Sequence, residues 1–339
     1  MIFNKILIEE DLYNNPRVDQ ILEKLKRKKD ESENVFQIKN YSDYFSNIKK
    51  PYLQKRENLN LFIANKKGEL VKVAPDAYGT KGAPHYYYVH SYNCIYECNY
   101  CYLQGYFHSP DLVVFLNTED IMKRMEDILK DHSEQEVWFH AGEFSDSLAL
   151  SHITSEIESF YPFFKKNPNA IWELRTKSAN IRGLKKMRPL KNLIVSFSLS
   201  PDESSRQNDL KTPGLKARLN AIKELYDQGH KIGLHFDPII YHEDLESQYQ
   251  ELLLELSKKI PLSEIQYLSI GVVRFSKSSY QQTIQNYPEA QYLKQDFVNA
   301  NDDKVKYPKP MRNWILSKIK NLCIKNGVLE NAIYECMEL

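Results

Sequence analysis

Three cysteines fall within eight residues, Cys94-Ile95-Tyr96-Glu97-Cys98-Asn99-Tyr100-Cys101. In this Cys-x3-Cys-x2-Cys spacing each thiolate can bind one iron of a four-iron, four-sulfur cube, and no fourth cysteine lies nearby to close the last corner. One iron is then open to an outside ligand, so the predicted cofactor is a [4Fe-4S] cluster held by Cys94, Cys98 and Cys101. Two other readings stand beside it. Structural zinc takes four protein ligands, commonly as paired Cys-x2-Cys or Cys/His knuckles, and with the second pair missing it needs a distant histidine. The grouping can also be chance. A disulfide framework does not suit five cysteines in 339 residues without a secretory leader. Cys323 and Cys336, near the C-terminus, read as packing residues.

Elements must position that loop. With 42% apolar residues in 339, the chain can bury a large core as one large domain or two. No apolar run approaches the roughly 20 residues that span a bilayer, and Met1-Ile2-Phe3-Asn4-Lys5 is not a signal peptide. The expectation is a cytoplasmic protein with no membrane partner, in a reducing compartment that suits an oxygen-sensitive cluster. The formal net charge of +1 excludes a polycation, so any phosphate-binding surface must be local.

Asn15 to Lys29 reads as an amphipathic helix with Val18, Ile21, Leu22 and Leu25 on one face. Leu59 to Ala64 and Glu69 to Val73 read as two strands joined by a turn at Asn65-Lys66-Lys67-Gly68. From His85 onward, strands and helices alternate. Strands are expected at 86–90, 137–140, 170–176, 193–199, 231–236 and 265–274, and helices at 118–131, 151–166, 216–228 and 244–259. Such alternation implies an α/β fold, a parallel sheet with helices outside, and about six units give a partial (β/α)6 barrel. The expected organisation is an N-terminal α+β segment over 1–84, the barrel over 85–275, and a helical C-terminal extension that contacts substrate over 276–339.

Catalytic residues of such a barrel sit just after the strand C-termini, and polar residues appear there. The candidates are His140-Ala141-Gly142-Glu143, Thr176-Lys177, Ser196-Phe197-Ser198, His235-Phe236-Asp237 and Arg274. Lys304-Val305-Lys306-Tyr307-Pro308-Lys309-Pro310-Met311-Arg312 offers four cations and an aromatic ring to a phosphate backbone. Arg182, Lys185, Lys186, Arg188 and Lys191 form a second basic stretch, which surface solubility explains equally well. Tyr86-Tyr87-Tyr88 offers stacking surface, although aromatic strands more often face a core.

The cysteine spacing, with an aromatic before the last cysteine, resembles the radical S-adenosylmethionine (SAM) signature. That resemblance implies SAM chelated on the open iron and cleaved to a 5′-deoxyadenosyl radical, in a partial radical SAM barrel. The segment at 140–143 resembles the Gly-Gly-Glu motif that holds the SAM ammonium group, a job for which a carboxylate is suited. Asn99-Tyr100-Cys101-Tyr102-Leu103-Gln104, followed by Asn117-Thr118-Glu119-Asp120-Ile121, resembles more narrowly the spore photoproduct lyase family, which reverses a covalent thymine dimer in DNA. Supporting similarity runs through 139–154, Thr176-Lys177, Phe197-Ser198, 238–242, Arg274-Phe275 and Tyr287-Pro288.

This resemblance implies that Glu143, Ser145, Lys177 and Ser198 hold SAM, and that Tyr100 and Tyr102 line the radical path. It implies that His235, Asp237, Tyr241, Arg274, Lys304, Lys306 and Arg312 contact a DNA or nucleotide substrate. The electron donor it implies is of the flavodoxin or ferredoxin type. One departure stands out: a gap-free alignment over 139–154 puts Glu143 where the family has a hydrogen-donor cysteine. A carboxylate O–H bond is too strong to do a thiol's work. Action on another nucleobase, nucleoside or small molecule therefore remains an alternative, as does a nucleic-acid-binding protein with a structural or sensory cluster.

Overall fold

The computed structural model describes residues 3–29, 33–45, 52–75, 82–300 and 302–337, so Met1 and Ile2 of the expected leaderless start lie outside it. Strands covered on both faces bury most of their side chains, and those of the larger sheet do so although polar residues such as His140, Glu173, Ser196 and His235 interrupt their apolar runs. We label its parallel strands β1 (His85–Tyr88), β2 (Val137–Ala141), β3 (Ala170–Thr176), β4 (Leu193–Ser198), β5 (Lys231–Ile239), β6 (Tyr267–Val272) and β7 (Ile333–Glu335). They lie in sequence order across the sheet, and Val71–Val73 pairs antiparallel on the outer edge of β1. β1 through β6 form the partial α/β barrel, and β7 adds a further parallel strand beside β6.

Helices cover the outer face because their apolar stripes have nowhere else to go. Thr118–Asp131, Glu156–Lys166, Leu215–Asp227 and Leu245–Ser257 bury residues such as Ile121, Phe160, Ile222 and Leu253 in one core with the strands. The C-terminal helix Lys309–Lys325 joins that core through Ile315, Ile319 and Cys323, which makes Cys323 a packing residue. Among the described residues, no helix is long and apolar enough to cross a membrane.

A second sheet orders Val35–Ile38, Ile6–Glu9, Leu61–Ala64, Leu112–Phe115 and Ser91–Tyr92. It corrects the expected hairpin over 59–73. Leu61–Ala64 is buried throughout and lies between two parallel neighbours, whereas Val71–Val73 goes to the barrel sheet. An apolar run with no polar face needs packing on both faces of its sheet, which an isolated two-stranded hairpin cannot give. This sheet reaches past residue 84, taking its last two strands from either side of the cysteine loop.

Two helix expectations also change. The first helix runs Pro16–Lys24, with the Asn15 side chain accepting from Arg17 N at 2.9 Å, and it stops before the basic segment Lys26-Arg27-Lys28-Lys29 with which the expected helix ended, where Lys26 takes φ +56°. The helix expected over 151–166 breaks at Ser155, at φ +54°, into Ser151–Thr154 and Glu156–Lys166. Lys24 holds the break from outside, donating to Ile153 O at 3.2 Å and Ser155 Oγ at 2.6 Å.

Candidate active site

At the C-terminal ends of the barrel strands lies a cavity of about 570 Å³, lined by Cys94, Cys98 and Cys101 together with Glu143, Lys177 and Ser198. Tyr100, Tyr102, Ser145, Asp237, Arg274 and Lys304 line it too. Strand ends built this way leave their loops free to converge.

Glu143 is delivered by a turn that only glycine makes easily. Gly142 has φ +94°, and a Cβ there would meet Ser147 Oγ at 2.7 Å and Arg175 O at 2.9 Å. Three residues on, Asp146 accepts from Leu148 N (3.0 Å), Ala149 N (2.9 Å), Thr176 Oγ1 (2.7 Å) and Lys177 N (2.7 Å). That carboxylate ties the loop after β2 to the end of β3, so Glu143 and Lys177 reach the cavity from a fixed frame. Ser145 Oγ donates to Asn93 O at 2.7 Å, joining the same loop to the cysteine segment.

The Tyr102 hydroxyl donates to the Glu143 side chain (3.1 Å to Oε1) and to the Glu143 carbonyl. Burial pushes the Glu143 carboxyl above the usual carboxylate range, against the pull of Arg175 and the Tyr102 hydroxyl. Burial and the Glu143 charge push the Tyr102 phenol well above its ordinary value, so it keeps its hydrogen. Tyr100 is held elsewhere: its hydroxyl donates to Asp209, which is paired with the buried Arg218 at 3.0 Å. Burial opposes the Asp209 charge, yet Lys177 and Arg218 hold it below the usual range. Lys177 Nζ stands 5.7 Å from the Tyr100 ring centre.

The residues suit an iron–sulfur cluster on their donor chemistry. Cys94 Sγ accepts from Tyr96 N at 3.4 Å, and Cys101 Sγ from the Leu103 backbone N–H, the kind of bond that supports cluster sulfurs. Burial raises the Cys94 and Cys98 thiols, a cost that metal charge offsets. Three thiols from one loop line one cavity, and the other two cysteines, Cys323 and Cys336, do not, so the donor set suits three corners of a cube.

The expected substrate residues divide. Asp237 and Arg274 face the cavity as a two-pronged pair, both contacts at 3.0 Å, and Arg274 holds Asp237 below the usual carboxylate range against the effect of burial. Lys304 joins them on the wall. His235, Tyr241, Lys306 and Arg312 do not line the cavity. His235 is inside the barrel on Glu173 Oε1 (3.0 Å) and Tyr267 OH (3.1 Å), and Tyr241 packs edge-on to Trp314. Lys306 is buried on Asp302 (2.7 Å), and Arg312 Nη1 donates to Tyr307 O (2.7 Å). Of the three tyrosines at 86–88, Tyr87 lines the cavity and Tyr88 is core, its hydroxyl accepting from Trp172 Nε1 at 2.8 Å.

Sequence reasoning missed Asp146, Arg175 and Tyr96, all of which line the cavity. A signal existed for two of them: Asp146 follows Glu143 in the same loop, and Arg175 precedes Thr176-Lys177 at a strand end.

Comparison with known proteins points one way. A family model described as spore photoproduct lyase matches residues 57–332. The spore photoproduct lyase of Geobacillus sp. (strain Y412MC61) is 24% identical over 217 residues, covering 63% of this chain and 62% of that protein. The one from Bacillus subtilis (strain 168) is 24% identical over 199 residues, 58% of each. The aligned part is thus about three fifths of the length of these curated relatives. In fold, a solved spore photoproduct lyase complexed with dinucleoside spore photoproduct superposes at TM-score 0.83 and 19% identity, over 98% of each chain. A variant of that lyase with bound AdoMet and the same dinucleoside gives 0.82 at 18% identity, over 99% of this chain and 98% of the other.

Proposed function

The chain belongs to the spore photoproduct lyase family, and from that premise we propose that it is a radical SAM enzyme acting on a thymine photolesion or related pyrimidine in DNA. One observation carries the reading: a single cavity gathers three cluster-spaced thiols with Glu143, Lys177, Ser198 and Tyr102. When bound, the [4Fe-4S] cluster and SAM supply a 5′-deoxyadenosyl radical that takes hydrogen from the lesion. The chain's own residues do the rest.

Cys94, Cys98 and Cys101 hold three cluster corners. Glu143 offers acceptors to the SAM ammonium group, and Lys177, Ser198 and Ser145 complete the SAM pocket. Tyr102 keeps a phenolic hydrogen beside a carboxylate. Unlike a carboxylic O–H, a phenolic O–H is weak enough to return a hydrogen atom to a carbon radical. An electron from a flavodoxin- or ferredoxin-type donor and a proton by way of Glu143 then restore it. At the far wall, Arg274, Asp237 and Lys304 meet the substrate. A base inside a duplex must be extruded to reach them at a cost of a few kcal/mol, which a lesion lowers.

Glu143 in the place of a donor thiol favours one second reading, in which the same radical acts on another nucleobase or nucleoside. The test is anaerobic. The reconstituted protein, with reductant, SAM and dinucleoside spore photoproduct, is expected to give repaired thymines together with 5′-deoxyadenosine. Deoxyadenosine without repair selects the second reading. A loaded cluster that yields neither overturns both.

A further inference from the structure

Against the cysteine loop, and outside the lining of the cavity, the short helix Tyr52–Arg56 places a guanidinium whose side chain is 4% exposed. Arg56 Nη2 reaches three successive loop carbonyls, Cys94 O at 3.3 Å, Ile95 O at 3.2 Å and Tyr96 O at 2.7 Å. Its Nε donates to Glu97 Oε2 at 3.2 Å, and its Nη1 to Tyr52 OH at 3.4 Å. Glu97 is in turn paired with Lys211 at 2.6 Å.

A planar trans peptide points its C=O and N–H in opposite directions. The Ile95 carbonyl and the Tyr96 N–H share one peptide; Arg56 takes the carbonyl, and the N–H donates to Cys94 Sγ at 3.4 Å. The guanidinium therefore aims a donor at a ligand sulfur. It also fixes a positive charge beside two cysteines of the loop, where burial weakens screening. Both effects favour the more negative, reduced state of a cluster.

We propose that Arg56 is a positioning residue for the cluster, gripping the carbonyl side of the loop and raising the potential at which the cluster takes up its electron. This rests on the three thiols being cluster ligands. Iron and sulfide content of the wild-type protein tests that premise separately, since a protein that loads no cluster fails there and not at Arg56.

The experiment is a reductive series on the reconstituted holoenzyme, read by the electron paramagnetic resonance signal of the reduced cluster. Arg56→Gln is expected to lower the ratio of reduced to oxidised cluster at a fixed potential at least tenfold, a midpoint displaced negatively by about 59 mV for one electron. Arg56→Lys, which keeps the charge but not the fork, is expected to fall between. Glu97→Gln, which removes the anion beside Arg56, is expected to move the midpoint the opposite way. It decides the matter where Arg56→Gln loads no cluster. A midpoint that either loaded charge variant leaves unmoved overturns the proposal.

Discussion

Four barrel strands, β2 to β5, lead to two polar layers with different fates. The lower layer is a network around Glu173, which is fully buried and accepts from Ser196 Oγ (2.5 Å), His235 Nε2 (3.0 Å), Tyr267 OH and His140 Nδ1, with Arg175 Nε (3.3 Å) reaching down to it from the cavity wall. The upper layer begins two or three residues further along the chain, at the strand ends or just past them. His140 gives way to Glu143, Glu173 to Arg175 and Lys177, Ser196 to Ser198, and His235 to Asp237. Side chains two apart on a strand share a face, which puts Arg175, Ser198 and Asp237 on the same inner face as Glu173, Ser196 and His235, while Glu143 and Lys177 reach the cavity from the loops just past their strands. What separates the two layers is depth: below, the hydrogen-bonding capacity of Glu173 is used up within the fold, while above it a cavity remains.

The first way to break this comparison is at the top. Cys98→Ala should bring SAM cleavage down to background while leaving thermal stability within about 1 kcal/mol of wild type, checked by deoxyadenosine yield and melting. Retained cleavage would remove the cluster from the account.

Next comes the lower layer, where the opposite pattern is expected. Glu173→Ala leaves several buried donors unpaired and should cost about 3–5 kcal/mol of stability, read from denaturant unfolding. A near-neutral result would mean that the network does not depend on Glu173.

Acid should sharpen the contrast. Burial pushes the His235 imidazole down to about 4, whereas an unfolded histidine takes its proton near 6.5. The unfolded chain holds more protons across that window, so stability falls as pH drops through it, by about 3 kcal/mol from this group. Glu143, raised by burial, has the opposite sign: its contribution is present at low pH and is lost as pH rises through its folded value. His235→Gln should flatten the acid slope of melting temperature; an unchanged slope would assign it to other groups.

The smallest effect belongs to Glu143→Gln. Loss of a charge-assisted contact should weaken SAM binding by about 1.5–3 kcal/mol with little change in melting, as measured by equilibrium binding. Unchanged SAM affinity with an altered product would instead place Glu143 against the substrate.

Much of this was legible in the sequence. The cysteine spacing named its own chemistry, and strand–helix alternation gave the barrel, down to a helix read at 118–131 and found at Thr118–Asp131. Depth was not legible. His235 and Asp237 are both polar, both near a strand end and two residues apart, and nothing local reveals that Glu173, 62 positions from His235, claims the histidine. Lys306 likewise looked like a phosphate contact until its pairing with Asp302 placed it in the fold. Arg56 was invisible for the same reason, because its partners are carbonyls of a loop some forty residues away, and backbone acceptors leave no mark in a sequence.

The central claim is that three thiols hold a cluster with one open corner facing the SAM pocket. The direct test is the electron paramagnetic resonance spectrum of the reduced, reconstituted protein with and without SAM. The account predicts a [4Fe-4S] signal that changes shape when SAM is added. A fully loaded cluster whose signal SAM leaves untouched would contradict it.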